Sequence, residues 1–200
     1  MSILVESYPE SVTIGGRRVK IDTNFRTAIQ FELLLEDQGN DPKEFVMAGL
    51  QLFYGDSWQR FSLEEGQEAI EKMIWFYRCG KEEKNGGSGA ASGPSYSFEY
   101  DDSYIYAAFM NQYHIDLQTV EYMHWWAFRA LFDSLDDRQR ISEIIRIRTI
   151  KLSDVPKEQQ KYYREMKKVY ALPKRKKTEK DEALEELLLH GGDPEEIFNN

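Results

Sequence analysis

Few side chains in this sequence are placed to do chemistry. A serine or cysteine nucleophile needs a base held beside it, and the three histidines, His114, His124 and His190, stand in no recognisable nucleophile motif. Cys79 is the only cysteine and follows the aromatic run Trp75-Phe76-Tyr77 at an expected helix end. That setting favours a small, buried or half-buried thiol over a reactive one, and a single cysteine excludes an internal disulfide framework and fits a reducing compartment. Glu121 and His124 have the three-residue spacing with which carboxylate-bridged di-iron bundles aim both side chains inward. Such sites need the pair twice, and neither His114 nor His190 has an acid three residues before it, so a buried hydrogen bond is the expected role of His124. The glycines between 86 and 93 lack the Gly-Lys-Ser/Thr ending and the preceding apolar strand of a phosphate loop. The expectation is a protein that is not an enzyme, with no catalytic residue, no cofactor and no metal.

Binding chemistry is better represented. Tyr96, Phe98, Tyr100, Tyr104, Tyr106, Phe109 and Tyr113 crowd into eighteen residues, followed by the pair Trp125-Trp126. Adjacent helical tryptophans point about 100° apart, so at most one faces a given pocket. Core packing of one and interface use of the other is the preferred reading, closely rivalled by a core role for both. Tyr104, Tyr106, Tyr113, Trp125 and Trp126 are thus the candidate protein interface. Lys157, Lys161, Arg164 and Lys168 follow i, i+4, i+7, i+11 spacing and make a basic stripe, continued by Lys174-Arg175-Lys176-Lys177. The stripe is the candidate anion-binding surface. No recognised nucleic-acid module accompanies it, so a solvated face is the favoured reading.

These residues need elements to position them. Val12 and Ile14, the Gly15-Gly16 turn, then Val19 and Ile21 read as a hairpin. Asp22 or Thr23 can cap a helix carrying Phe25, Ala28, Ile29, Leu33 and Leu34, ended by Gly39 and Asn40. Asp41-Pro42 opens a second helix with Phe45, Val46, Leu50 and Phe53, stopping near Gly55. Ser62 and Glu65 form a capping box for a third, running to Gly80. Residues 81–95, with four glycines, read as a flexible loop. Asp101 and Asp102 can cap a helix with Ile105, Ala108, Phe109 and Gln112 on one face, and Asp116 can cap a long one through Leu117, Val120, His124, Leu131 and Leu135. Ile141, Ile144, Ile145 and Ile147 suggest a sixth helix, and Pro156 opens a seventh that ends before Pro173. The fold class expected is mainly α, a bundle of about seven helices with a small N-terminal β-hairpin. Residues 1–173 read as a single helical domain, and 174–200 as a charged tail with a short helix.

The chain has 200 residues and a net charge of −9, which suits solubility and repels nucleic acid and anionic membranes except at a local basic patch. Charge is divided sharply near the end: residues 157–180 hold ten basic and three acidic side chains, and 181–200 hold seven acidic and no basic ones. The first residues carry no basic head and apolar run, and the most apolar stretch, 117–135, contains Glu121, His124, Arg129 and Asp133. Neither a secretory signal nor a membrane span is expected.

Several runs carry a resemblance: DTNFRTAIQFELLL (22–35), WFYRCG (75–80), FEYDDSYIYAAFMNQYHIDL (98–117), MHWWAFRALFDSL (123–135) and YYREMKKVYALP (162–173). Together they resemble a family of tailed-phage and prophage proteins from Gram-positive hosts, across most of residues 3–173. The tyrosine-rich helix followed by His-Trp-Trp is the most specific part. Members are typically encoded among the tail genes, close to the tape-measure protein. The resemblance implies a tail assembly chaperone in the host cytoplasm, absent from the finished virion, with the tape-measure protein and other tail assembly proteins as partners. It supplies no catalytic residues. Self-association is open, nucleic acid is disfavoured, and no membrane is expected. The alternatives are a small nucleic-acid-binding phage protein using the stripe at 157–177, or a structural tail completion or connector protein.

Overall fold

A computed structural model describes residues 4–36, 41–81 and 94–173, together with Glu179. Among the described residues the fold is mainly α, with seven α-helices and a two-stranded antiparallel hairpin, as the periodicities predict. The expected ends at Gly39 and Asn40, most of the glycine loop, and the charged tail lie outside the described residues. The described chain forms two compact units, one of residues 4–36, 41–81 and 122–129, the other of 94–121 and 130–173.

The first unit begins with β1 (Ser11–Ile14) and β2 (Arg17–Lys20), paired Val12 to Val19 and Ile14 to Arg17. Gly15 and Gly16 close the turn at φ of 54° and 70°, a conformation that side chains with a Cβ resist. Helix α1 (Phe25–Glu36) follows, and its cap is neither Asp22 nor Thr23. Asn24 holds that position, its Oδ1 accepting from the Arg26 amide at 3.1 Å, while Asp22 accepts from the Asn24 amide at 2.9 Å. Helix α2 (Pro42–Tyr54) is capped by Asp41 and carries Phe45, Val46, Leu50 and Phe53 into the core, then passes into a 3-10 helix at Gly55–Arg60. Helix α3 (Leu63–Tyr77) has the Ser62/Glu65 capping box predicted from sequence.

A core of rings holds these helices. Phe31 contacts Phe45, Phe53 and Tyr77, with centroids 5.1 to 5.4 Å apart, and Phe53 meets Phe76 edge-on at 6.0 Å. Edge-to-face pairs of this kind add about 1 kcal/mol beyond the area they bury. The buried Gly49 lets α2 sit close: a Cβ there would lie 2.9 Å from the Phe31 ring and 3.1 Å from the Met73 sulfur.

The second unit contains α4 (Asp102–Tyr113), the end of α5 (Trp125–Asp133), α6 (Arg140–Thr149) and α7 (Lys157–Val169). Ile105, Ala108 and Phe109 of α4 and Ile141, Ile144 and Ile147 of α6 are buried where those two helices pack. Asp101 does not cap α4 through its side chain, contrary to expectation. It is buried, accepts from the Ser97 amide at 3.0 Å, and pairs with Arg148.

The long helix expected between Asp116 and Leu135 is a correction of a different kind. Helix α5 starts only at Trp125, and residues 114–124 are irregular. His114 takes a left-handed φ of 56° at the end of α4, and the Asp116 carboxylate accepts from the Gln118 amide at 2.9 Å, turning the chain locally rather than capping a helix that continues.

Candidate functional site

The aromatic set and the basic stripe meet different fates. Trp125 and Trp126 are buried, 1% and 5% exposed. The Trp125 indole N–H donates to the Tyr77 carbonyl at 2.7 Å and that of Trp126 to the Phe76 carbonyl at 2.8 Å, so both ring nitrogens answer the last carbonyls of α3. Tyr77 stacks on Trp125 at 5.8 Å, and Phe76 on Trp126 at 5.9 Å. The preferred split, with one indole facing outward, is not found. Both serve the core, because each needs an apolar bed and a carbonyl partner, and the end of α3 supplies both.

His124 makes this possible. Its Nδ1 accepts from the Trp126 amide at 3.0 Å, capping α5, and its Nε2 lies 3.1 Å from the Pro9 carbonyl, which fixes the proton on Nε2. Burial holds the ring below its ordinary pKa, opposed by the Pro9 carbonyl and the Glu10 carboxylate. Tyr8 stacks on the ring at 4.6 Å. Beside it the backbone forms an antiparallel bridge between Asn24 and His124, in which the Phe25 amide donates to Met123 and the Trp125 amide to Thr23. The caps of α1 and α5 are thus tied together. His124 makes the buried hydrogen bond expected of it, and Glu121 is exposed.

On α4 the three tyrosines differ. Tyr104 is exposed. Tyr106 is half-buried and hydrogen-bonds Asp116, and burial, then that contact, pushes its hydroxyl pKa up. Tyr113 is half-buried and its hydroxyl donates to the Leu131 carbonyl at 2.8 Å. Of the aromatic candidates, then, Tyr104 presents most surface.

The basic stripe lies entirely at the surface: Lys157, Lys161, Arg164 and Lys168 are all exposed on α7. None of the thirteen residues of α7 is buried. Its inner side, Gln160, Tyr163, Met166 and Lys167, is half-buried. Outside, next to the stripe, Glu158, Tyr162, Glu165 and Val169 form a second row, in which Tyr162 is 51% and Val169 66% exposed. The outer face of α7 thus sets two exposed apolar side chains beside a row of cations.

Polar bonds hold that helix in place, and sequence reasoning missed their centre. Arg148 pairs with Asp101 through two contacts of 2.5 and 3.0 Å, donates to the Ser95 carbonyl at 3.2 Å, and donates from Nε to the Tyr170 carbonyl at 2.7 Å. The Arg148 carbonyl accepts from Lys167 at 2.6 Å. A planar guanidinium can tie three segments at once in this way. The only local hint was an arginine at the end of an isoleucine-rich helix.

Among the described residues no group of histidine, cysteine, aspartate and glutamate side chains is arranged to hold a metal, and no helix is long and apolar enough to cross a membrane. Cys79 is half-buried at φ 57°, its sulfur 3.9 Å from the Tyr77 carbonyl.

Comparison with known proteins finds no match among curated proteins and none among solved structures. A family profile described as bacteriophage Gp15 protein matches residues 4–172, which span the hairpin and every α-helix among the described residues. The chain is therefore a phage protein, a member of the bacteriophage Gp15 protein family.

Proposed function

We propose that this protein chaperones phage tail assembly in the host cytoplasm, holding the helical tape-measure protein until tail subunits polymerise around it, and that it catalyses no reaction. The observation that carries the reading is α7, whose outer face shows Tyr162 and Val169 beside Lys157, Lys161, Arg164 and Lys168 with no side chain buried. A face of this kind suits an amphipathic, partly acidic helix, which would cover the apolar row and answer the charges. The proposed setting is a gene among the tail genes of a phage or prophage of a Gram-positive host, next to that of the tape-measure protein. Other tail assembly proteins are further candidate partners.

Co-purification from infected or prophage-induced cells tests the proposal. The tape-measure protein is expected among the partners; recovery of capsid or replication proteins alone would sink it. Mass spectrometry of purified virions separates a chaperone, absent from them, from a structural connector, which stays.

The exposed stripe also favours a second reading, nucleic-acid binding. Tight retention on DNA or RNA at low salt, falling steeply as salt rises, would support that alternative.

A further inference from the structure

We propose that the outer edge of β2 takes up an extended acidic segment of a partner protein as a third strand. The inference concerns the first compact unit and does not depend on α7.

The backbone provides the template. Gly15-Gly16 is a two-residue turn, so Ile14 and Arg17 form a hydrogen-bonded pair, and pairs alternate outward from it. Val12 and Val19 are the next bonded pair, and the bond from the Ile21 amide to the Glu10 carbonyl, 3.2 Å, continues the same alternation. Arg18 and Lys20 fall between. Their amides and carbonyls therefore point away from β1, and among the described residues none of the four has a backbone partner. Two consecutive donor and acceptor sets along a free strand edge are what an added strand pairs with.

Space and charge agree with that geometry. A cleft of about 860 Å³ is lined by residues 17–24, by residues at the end of α2 and in the 3-10 helix, and by Tyr122. Its walls meet at Asp22, whose amide donates to the Phe53 carbonyl at 2.7 Å, so the open length of the edge is that of Arg18 and Lys20. No residue of β1 lines it, which puts the cleft on the open side of β2. An added strand would lie about 4.8 Å from β2. The lining carries Arg17, Arg18, Lys20 and Arg60 against a single acid, Asp22. Arg17 is paired with Glu65 at 2.7 Å, and Arg18 donates to the Ser11 hydroxyl at 2.5 Å. Lys20 and Arg60 make no ion pair among the described residues and are the two cations most open to a carboxylate. In a chain of net charge −9 such a concentration of cations selects an acidic occupant.

The test uses the full chain and a short fluorescent synthetic peptide alternating glutamate with valine, with a lysine-valine peptide as control. The acidic peptide is expected to bind, to lose affinity as salt rises, and to slow amide hydrogen exchange at Arg18 and Lys20 in the unmodified protein. Lys20→Pro removes an outward amide that β1 does not use, and Arg60→Glu reverses a charge on the opposite wall. Each should weaken binding by about tenfold or more. Equal binding of the lysine peptide, binding without protection of those two amides, or full affinity in both variants would overturn the proposal. No binding at all would also overturn it, leaving the basic side chains as guards against edge pairing.

Discussion

Helices α5 and α7 present the same ingredients, aromatic rings among basic and acidic side chains, and put them to opposite uses. In the first turn of α5, both tryptophans are buried and both indole N–H groups answer carbonyls at the end of α3. In α7 no residue is fully buried: its inner side is half-buried, and Arg148 bonds to the Tyr170 carbonyl just past its end while the Arg148 carbonyl accepts from Lys167. The difference teaches that an abundance of aromatic residues does not by itself mark exposed surface here. Rings that find both apolar neighbours and a hydrogen-bond partner become scaffold, and those left beside charges at the surface remain available to another molecule.

The sharpest way to break that contrast is truncation of one ring in each helix. Trp125→Ala should cost about 4 kcal/mol, since it leaves a cavity and an unanswered carbonyl. Tyr162→Ala should change stability by no more than about 0.5 kcal/mol. Chemical denaturation of the two variants checks this, and similar losses would mean that α7 is as integral as α5.

Arg148 comes next in expected effect. Arg148→Met leaves Asp101 buried without its counter-charge and should cost about 3 kcal/mol. Adding Asp101→Leu to that variant should recover part of the loss, because an apolar pair can replace a buried ion pair. No recovery in the double variant would show that the bonds to Ser95 and Tyr170, not the charge pair, are what matter.

His124 gives a smaller effect with a sign. Its folded pKa is depressed by burial, so the unfolded ring takes up a proton first as pH falls. Its contribution is therefore complete above about pH 6.5 and is lost as pH drops through the lower folded value. Geometry agrees, because a protonated Nδ1 would face the Trp126 amide donor to donor. His124→Gln should cost about 1 kcal/mol at neutral pH, the worth of a helix cap, and flatten the fall in melting temperature towards acid. An unchanged slope in the variant would assign the acid sensitivity to other groups.

Much of the architecture was legible because its signals are local. Asp41-Pro42 and the Ser62/Glu65 box start α2 and α3 where the residues say, and Ile141, Ile144 and Ile147 of α6 are buried, with Ile145 half-buried beside them. What failed was decided across distance. Asp116 to Leu135 has helical periodicity, yet the backbone at 123–125 bonds to that at 23–25, and His124 becomes a cap instead of a mid-helix residue. Asp101 looked like a cap because its partner Arg148 is 47 residues away. The part of the basic stripe on α7 is exposed as its spacing suggests, since exposed charges at helical spacing need no tertiary partner to define them, while its continuation at Lys174-Arg175-Lys176-Lys177 lies outside the described residues. The β2 edge was invisible, because an open strand edge is a property of pairing and not of residue type.

The proposal that the outer face of α7 binds the tape-measure protein is tested most directly by reversing the stripe. Lys157→Glu, Lys161→Glu, Arg164→Glu and Lys168→Glu in one protein should leave the melting temperature close to that of the parent, because all four side chains are exposed. The measurement is recovery of the tape-measure protein by this variant and by the parent from induced cells. The account predicts recovery with the parent and its loss with a folded variant. Equal recovery with both would contradict it.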